Sequence, residues 1–196
     1  MKKILITGFE PFGGETINPS WEAVKLIPDM INGAEMIKVP VCVEYEKSGL
    51  DLKALISDHA PDAVICCGQA GGRKAVTPEV CAINRDHAEA PDNAGEVRRY
   101  AEIIPGGANA YFTPLPVENM VENVKAAGIA CAPSFSAGTY VCNHIYYTLL
   151  STMKNGLFVH VPFIPEQVEG KNLPAMALSE IAKAIEIIAA TVADAI

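Results

Sequence analysis

No apolar stretch of this chain reaches the ~18 residues that a membrane span requires; the greasiest segment, at the C-terminus, is broken by Lys183, Glu186 and Asp194. The apolar start Ile4-Leu5-Ile6 stops at Thr7-Gly8, short of the ~7–15 residues of a secretory core. No export signal is read, and a cytoplasmic location is expected. Positive charge is also scarce: 15 Lys+Arg stand against 23 Asp+Glu, a net charge of −8. A surface of that sign repels phosphate backbones and anionic lipid, which argues against nucleic-acid and membrane partners. The six cysteines (42, 66, 67, 81, 131 and 142) lack the spacing of a disulfide scaffold, which fits a reducing compartment. Metal motifs are missing as well. There is no CxxC and no HExxH, and the adjacent Cys66 and Cys67 on one strand point to opposite faces, so no metal and no cofactor are expected.

Half of the 196 residues are apolar and 19% are charged, a globular balance with room for one domain, expected to span residues 1–196. Lys3–Thr7 and Ala63–Cys67 are short apolar runs closed by Gly8 and Gly68, the pattern of strands buried on both faces. Between them, Asn18-Pro19 caps a helix reaching about Ile27, Met36–Val41 is β-like, and Tyr45–His59 is helical. The segment from Gly68 to about Tyr111 is irregular. Beyond it, Pro116 opens a helix with Val117, Met120, Val121 and Val124 on one face and Gly128 as its stop, and a strand-like stretch leads to Ser134. Cys142–Met153 reads as a helix, Leu157–Val161 as a buried strand, and Pro174–Ile196 as a closing amphipathic helix. This alternation predicts an α/β fold, a three-layer α/β/α sandwich around a mostly parallel sheet, with its chemistry at the carboxyl ends of the strands.

Two glycine loops follow strands, Gly8-Phe9-Glu10-Pro11-Phe12-Gly13-Gly14 and Gly68-Gln69-Ala70-Gly71-Gly72-Arg73-Lys74. Neither carries the Gly-Lys-Ser/Thr end of a P-loop nor the spacing of a dinucleotide fingerprint. Tight turns account for the glycines. They do not account for Phe9 and Phe12, whose aromatic rings bracketing Pro11 suit the walls of a flat, uncharged ligand.

Cys142 follows the small-residue turn Ser136-Ala137-Gly138 and opens a helix, where free N–H groups favour a thiolate; it is either an activated nucleophile or a small apolar filler. A nucleophilic thiol needs a base. His59 and His87 fall in connections and His144, two residues from Cys142 on a helix, turns away, which leaves His160 near the end of a buried strand. A third group would fix the imidazole's tautomer. Glu79, set among apolar residues, is the candidate, with Asp86 and Asp92 as alternatives.

Read together, these segments resemble the pyroglutamyl-peptidase I family, the pyrrolidone-carboxylate peptidases that remove N-terminal pyroglutamate from peptides. The resemblance runs in order through the two glycine loops with Asn18-Pro19-Ser20, then Thr77-Pro78-Glu79, Ala82-Ile83-Asn84 and Pro91-Asp92-Asn93. It continues through Ser136 to Asn143, His160-Val161-Pro162-Phe163 and Glu166-Gln167. It implies a cysteine peptidase in which Cys142 is the nucleophile, His160 the general base and then acid, and Glu79 the group orienting His160. It also implies that Phe9, Phe12 and Val141 wall a lactam-ring pocket with Gln69 as a polar contact, and that the chain forms a homodimer or homotetramer. Two departures stand out: Val80 where the family usually has a basic residue, and Glu89-Ala90 where it commonly has Arg-Ile. Both would remove a cation from the neighbourhood of the site, and they raise the alternative of a relative that binds blocked N-termini without cleaving them.

Overall fold

A computed structural model describes residues 1–196. In chain order the elements are β1 (Lys2–Phe9), α1 (Pro19–Leu26), β2 (Met30–Ile31), β3 (Ala34–Val41), α2 (Tyr45–His59), β4 (Ala63–Gln69), β5 (Thr77–Glu79), β6 (Cys81–Ile83), β7 (Ala110–Phe112), α3 (Val117–Ala126), α4 (Val141–Thr152), β8 (Gly156–Val161) and α5 (Leu178–Ala195). A six-stranded sheet runs β2-β3-β1-β4-β8-β5, and β6 and β7 form a separate two-stranded ribbon. The four central strands are parallel, while the short edges β2 and β5 are antiparallel.

Strand alternation sorts the apolar residues into two cores. Ile4, Ile6, Ile65, Cys67, Leu157, Val159 and Val161 face α1, α3 and α5. Leu5, Phe9, Val64, Cys66 and Phe158 face α2 and α4. Three layers result because every central strand buries both of its faces. No helix is long and apolar enough to cross a membrane.

The expected cap forms as read: Asn18 Oδ1 accepts from the Ser20 amide at 3.1 Å, with Pro19 in the first turn of α1. The Asn18 amide also donates to the Glu10 carbonyl at 3.0 Å, and the Phe9 amide donates to Ser20 Oγ at 3.0 Å. These bonds press the start of α1 onto the end of β1. A Cβ built on Gly8 would lie 2.5 Å from Trp21 Cα, and backbone cannot move aside as a side-chain tip can. Gly8→Ala is expected to cost about 1–3 kcal/mol, read as a lower urea midpoint; an unchanged midpoint would refute this close approach.

Three expectations differ from the structure. The closing helix begins at Leu178 rather than Pro174, because Ala175 bridges to Phe163 in extended form and the Met176 amide donates to the Phe163 carbonyl at 2.8 Å. The stretch leading to Ser134 forms only the bridges Val76–Cys131 and Glu79–Ser134 beside β5. The irregular segment after Gly68 contains β5, β6 and β7, held by polar anchors rather than an apolar period. Asn84 both donates to and accepts from the backbone of Ile104 at 2.8 and 2.9 Å.

Candidate active site

α4 begins at Val141, one residue before the expected start, so Cys142 is its second residue. Asn143 fixes that first turn: its Oδ1 accepts from the Ile83 amide at 3.0 Å, and its Nδ2 donates to the carbonyls of Ile83 and Arg85 at 2.9 and 3.0 Å. The amides of Asn143 and His144 donate to the Tyr140 carbonyl, whereas those of Val141 and Cys142 keep no acceptor. Two free N–H groups at a helix start beside a sulfur are oriented to receive a developing oxyanion.

Beneath the sulfur, the register does the positioning. Gly68 is the partner of His160 across the parallel β4–β8 pair, so both project to the α4 face. A Cβ on Gly68 would lie 3.1 Å from Cys142 Sγ and 2.7 Å from Phe158 Cζ. Only a glycine lets the sulfur settle over the strand next to the imidazole. The His160 ring packs on Phe158 with centroids 4.7 Å apart.

Across the antiparallel β5–β8 pair, Thr77 faces His160 and Glu79 faces Phe158, which sets Glu79 diagonally beside the imidazole. Glu79 Oε1 accepts from His160 Nδ1 at 2.7 Å. That bond leaves Nε2 for the sulfur side, as a general base requires. Tyr146 of α4 donates its hydroxyl to the Glu79 carbonyl at 2.8 Å. Both Glu79 and His160 are buried, at 0% and 4% exposure, whereas Cys142 is half-buried.

The electrostatics follow from this burial. Burial raises the Glu79 carboxyl, but the hydrogen bond and charge of His160, with Arg73, outweigh it and hold the group below its ordinary value. Burial wins at His160 and lowers it below 6.5, against the upward pull of Glu79. At Cys142 burial pushes the thiol up to about 12, and Glu79 adds to the rise, against Arg73 and the residue's own amide. Burial thus works against the thiolate that the helix start was expected to favour. Both shifts favour the uncharged forms, a thiol and a neutral imidazole.

The alternative acids belong elsewhere. Asp86 pairs with His144 at 2.8 Å and with Arg98 at 3.0 Å. Asp92 accepts from the amides of Ala94, Glu96 and Tyr45 at 2.9, 2.8 and 3.0 Å. Both carboxylates are spent on holding loops.

The candidate pocket residues divide. Phe9 and Val141 are fully packed in the core on the Cys142 face. Phe12 is half-buried and meets Tyr140 at 6.3 Å, and the Tyr140 hydroxyl donates to the Pro91 carbonyl at 2.9 Å. Tyr140 is thus an aromatic neighbour that the sequence reading did not single out. Gln69 lies one residue past Gly68, so its side chain leaves the opposite face of the sheet, where its Oε1 accepts from Gln167 Nε2 at 2.8 Å.

The departures at positions 80 and 89 also find places. Val80 packs against the core beneath α3 and α5, and lines a cavity of about 330 Å³ with Leu115, Pro133 and Phe135. A basic residue there would not face Glu79. Glu89 pairs with Arg99 at 2.5 Å on the surface. The cation beside the carboxylate is instead Arg73, whose side chain donates to Glu79 Oε1 at 2.8 Å.

Comparison with known proteins identifies relatives of the whole chain. The family model described as pyroglutamyl peptidase matches residues 2–195. A pyrrolidone-carboxylate peptidase of Thermosipho africanus is 50% identical, covering 93% of each chain. The crystal structure of Bacillus amyloliquefaciens pyroglutamyl peptidase I superposes with a TM-score of 0.95 at 44% identity, covering 99% of this chain and 98% of that one. The pyrrolidone carboxyl peptidase of Pyrococcus furiosus gives 0.94 at 33% identity, covering 98% and 99%. With a matching model over nearly its whole length and relatives of this identity, the chain belongs to the pyroglutamyl peptidase family.

Proposed function

We propose that this chain hydrolyses the bond after an N-terminal pyroglutamyl residue of peptides, releasing free pyroglutamate through a thiol acyl-enzyme. The observation that carries the reading is the buried His160–Glu79 pair at 2.7 Å on the sheet face over which the Cys142 sulfur sits. His160 Nε2 takes the thiol proton as Cys142 Sγ attacks the pyroglutamyl carbonyl. The tetrahedral oxyanion turns toward the free amides of Val141 and Cys142. His160 then gives the proton to the departing amine, and a water activated by the same nitrogen frees the acid. Glu79 holds the ring in the tautomer that keeps Nε2 unprotonated.

The pyroglutamyl ring carries no charged amine, so its recognition rests on aromatic and aliphatic surface plus a few donors and acceptors. Phe12 and Tyr140 supply the accessible aromatic surface, over Phe9 and Val141. Residues 1–196 act as one peptidase domain, and six free thiols favour a reducing, cytoplasmic setting. Self-association as a homodimer or homotetramer is favoured by the exposed rings of Phe112 and Phe135.

Release of a chromogenic amine from a pyroglutamyl anilide tests the activity. Turnover blocked by iodoacetamide is expected, with a prolyl anilide left intact. Binding of the pyroglutamyl compound without turnover would favour the non-cleaving alternative. The pH profile is a second check. The base must be neutral, and burial lowers His160, so kcat/KM should hold as pH falls past 6.5 and decline only at the lowered value. A decline centred above 6.5 would contradict this protonation scheme.

A further inference from the structure

Arg73 reaches its place through two glycines. A Cβ on Gly71 would lie 2.3 Å from the Phe163 ring, so that turn packs directly on the aromatic side chain, and Gly72 sits at φ +85°, a conformation L side chains rarely adopt. The next residue, Arg73, is thereby delivered to the edge of the site with 27% of its side chain exposed. Its Nη1 donates to Glu79 Oε1 at 2.8 Å and also to Thr77 Oγ1, and its Nη2 donates to the Ser136 carbonyl at 3.2 Å. One planar side chain thus joins the β5 carboxylate to the turn that precedes the Cys142 helix. Glu79 Oε1 accepts from both Arg73 and His160.

We propose that Arg73 is a positioning residue for this reaction. Its guanidinium holds Glu79 in register with His160, ties the 134–140 turn to that carboxylate, and opposes the Glu79 charge at the Cys142 sulfur. The inference rests on Cys142, His160 and Glu79 acting as proposed above. The titratable and charged groups around the sulfur are Glu79 from β5, Arg73 from the β4–β5 loop and Cys66 from β4, with His160 on β8 and Tyr146 on α4 beside Glu79. Arg73 is the only cationic side chain in that set, and its charge opposes Glu79 at both Cys142 and His160. An arginine meets all three acceptors because its donors lie in a rigid fork, which a lysine ammonium does not reproduce.

The test compares Arg73→Gln, Arg73→Lys, Glu79→Gln and the double variant Arg73→Gln/Glu79→Gln, by pyroglutamyl anilide kinetics and by the pH dependence of iodoacetamide alkylation at Cys142. Arg73→Gln should lower kcat about 10- to 100-fold with KM changed less than twofold. It should also move both the acid limb of kcat/KM and the alkylation curve to higher pH, since the Glu79 charge is then uncompensated. Arg73→Lys should return both curves to the parental position while kcat stays depressed. Glu79→Gln should move the alkylation curve to lower pH, and adding Arg73→Gln in that background should move it back up, because each charge acts on the sulfur directly. Should Arg73→Gln alone fail to fold, the double variant, which buries no uncompensated carboxylate, should fold; its failure would reduce Arg73 to a structural tie. Parental pH curves in a folded Arg73→Gln protein would overturn the proposal. Turnover surviving Cys142→Ser would instead overturn the triad, whatever the Arg73 variants do.

Discussion

Cys142→Ser is expected to lower pyroglutamyl anilide turnover by about 10³- to 10⁶-fold while leaving the circular dichroism spectrum and urea midpoint near the parental values. The loss is large because a hydroxyl ionises far less readily than a thiol, and a site arranged around sulfur, with the His160–Glu79 pair and the amides at positions 141 and 142, does not make up the difference. The fold should tolerate the exchange. Serine is no larger than cysteine, and the space over Gly68 already admits the sulfur without displacing Phe158. Mass spectrometry after mixing with a pyroglutamyl ester supplies the positive control: the parent should carry one acyl adduct on Cys142. Turnover within tenfold of the parent, or an adduct elsewhere, would remove Cys142 from the mechanism.

His160→Ala is expected to be nearly as damaging to turnover, by about 10³- to 10⁴-fold, but it should also cost stability. Glu79 is fully buried and shares Oε1 between His160 and Arg73. Removing the imidazole strips the carboxylate of one charge-assisted partner and leaves a void beside Phe158, a cost of about 1–3 kcal/mol. For a chain of this length that lowers Tm by roughly 2–4 °C for each kcal/mol. The sign of the pH effect is set by the depressed carboxyl. Its stabilising contribution is present at neutral pH and is lost as pH falls through its lowered folded value. The variant, lacking one of the groups that depress it, should therefore lose less stability on acidification than the parent, so that the gap between their Tm values narrows as pH falls. Equal Tm values across the acid range, measured by calorimetry, would show that the buried pair contributes nothing net.

These two results bear on residues that the sequence alone brought forward, and the reason they were legible is local. Cys142 stands at a small-residue turn opening a helix, and His160 interrupts an apolar strand; both break a pattern that apolar packing would otherwise continue. Glu79 was readable as a carboxylate among apolar residues, but not as the partner of His160, since 81 residues separate the two. The choice among Glu79, Asp86 and Asp92 needed the strand order, which seats β5 beside β8 and sends Asp86 to His144. Arg73 was visible within a glycine loop, yet nothing in its neighbours signals that Gly71 and Gly72 turn it onto Glu79.

The sequence by itself determined the alternation of helices and doubly buried strands and the capped start of α1, and it singled out the candidate sulfur and imidazole. Each of these follows from short-range periodicity, backbone capping or a polar residue inside an apolar run. Only the tertiary structure decided that Gln69 points away from the sulfur, that Val80 lies on the far face, and that burial raises the Cys142 thiol. Those outcomes depend on which strands are neighbours and on how much water the packed layers exclude. Both are properties of contacts between residues far apart in the chain.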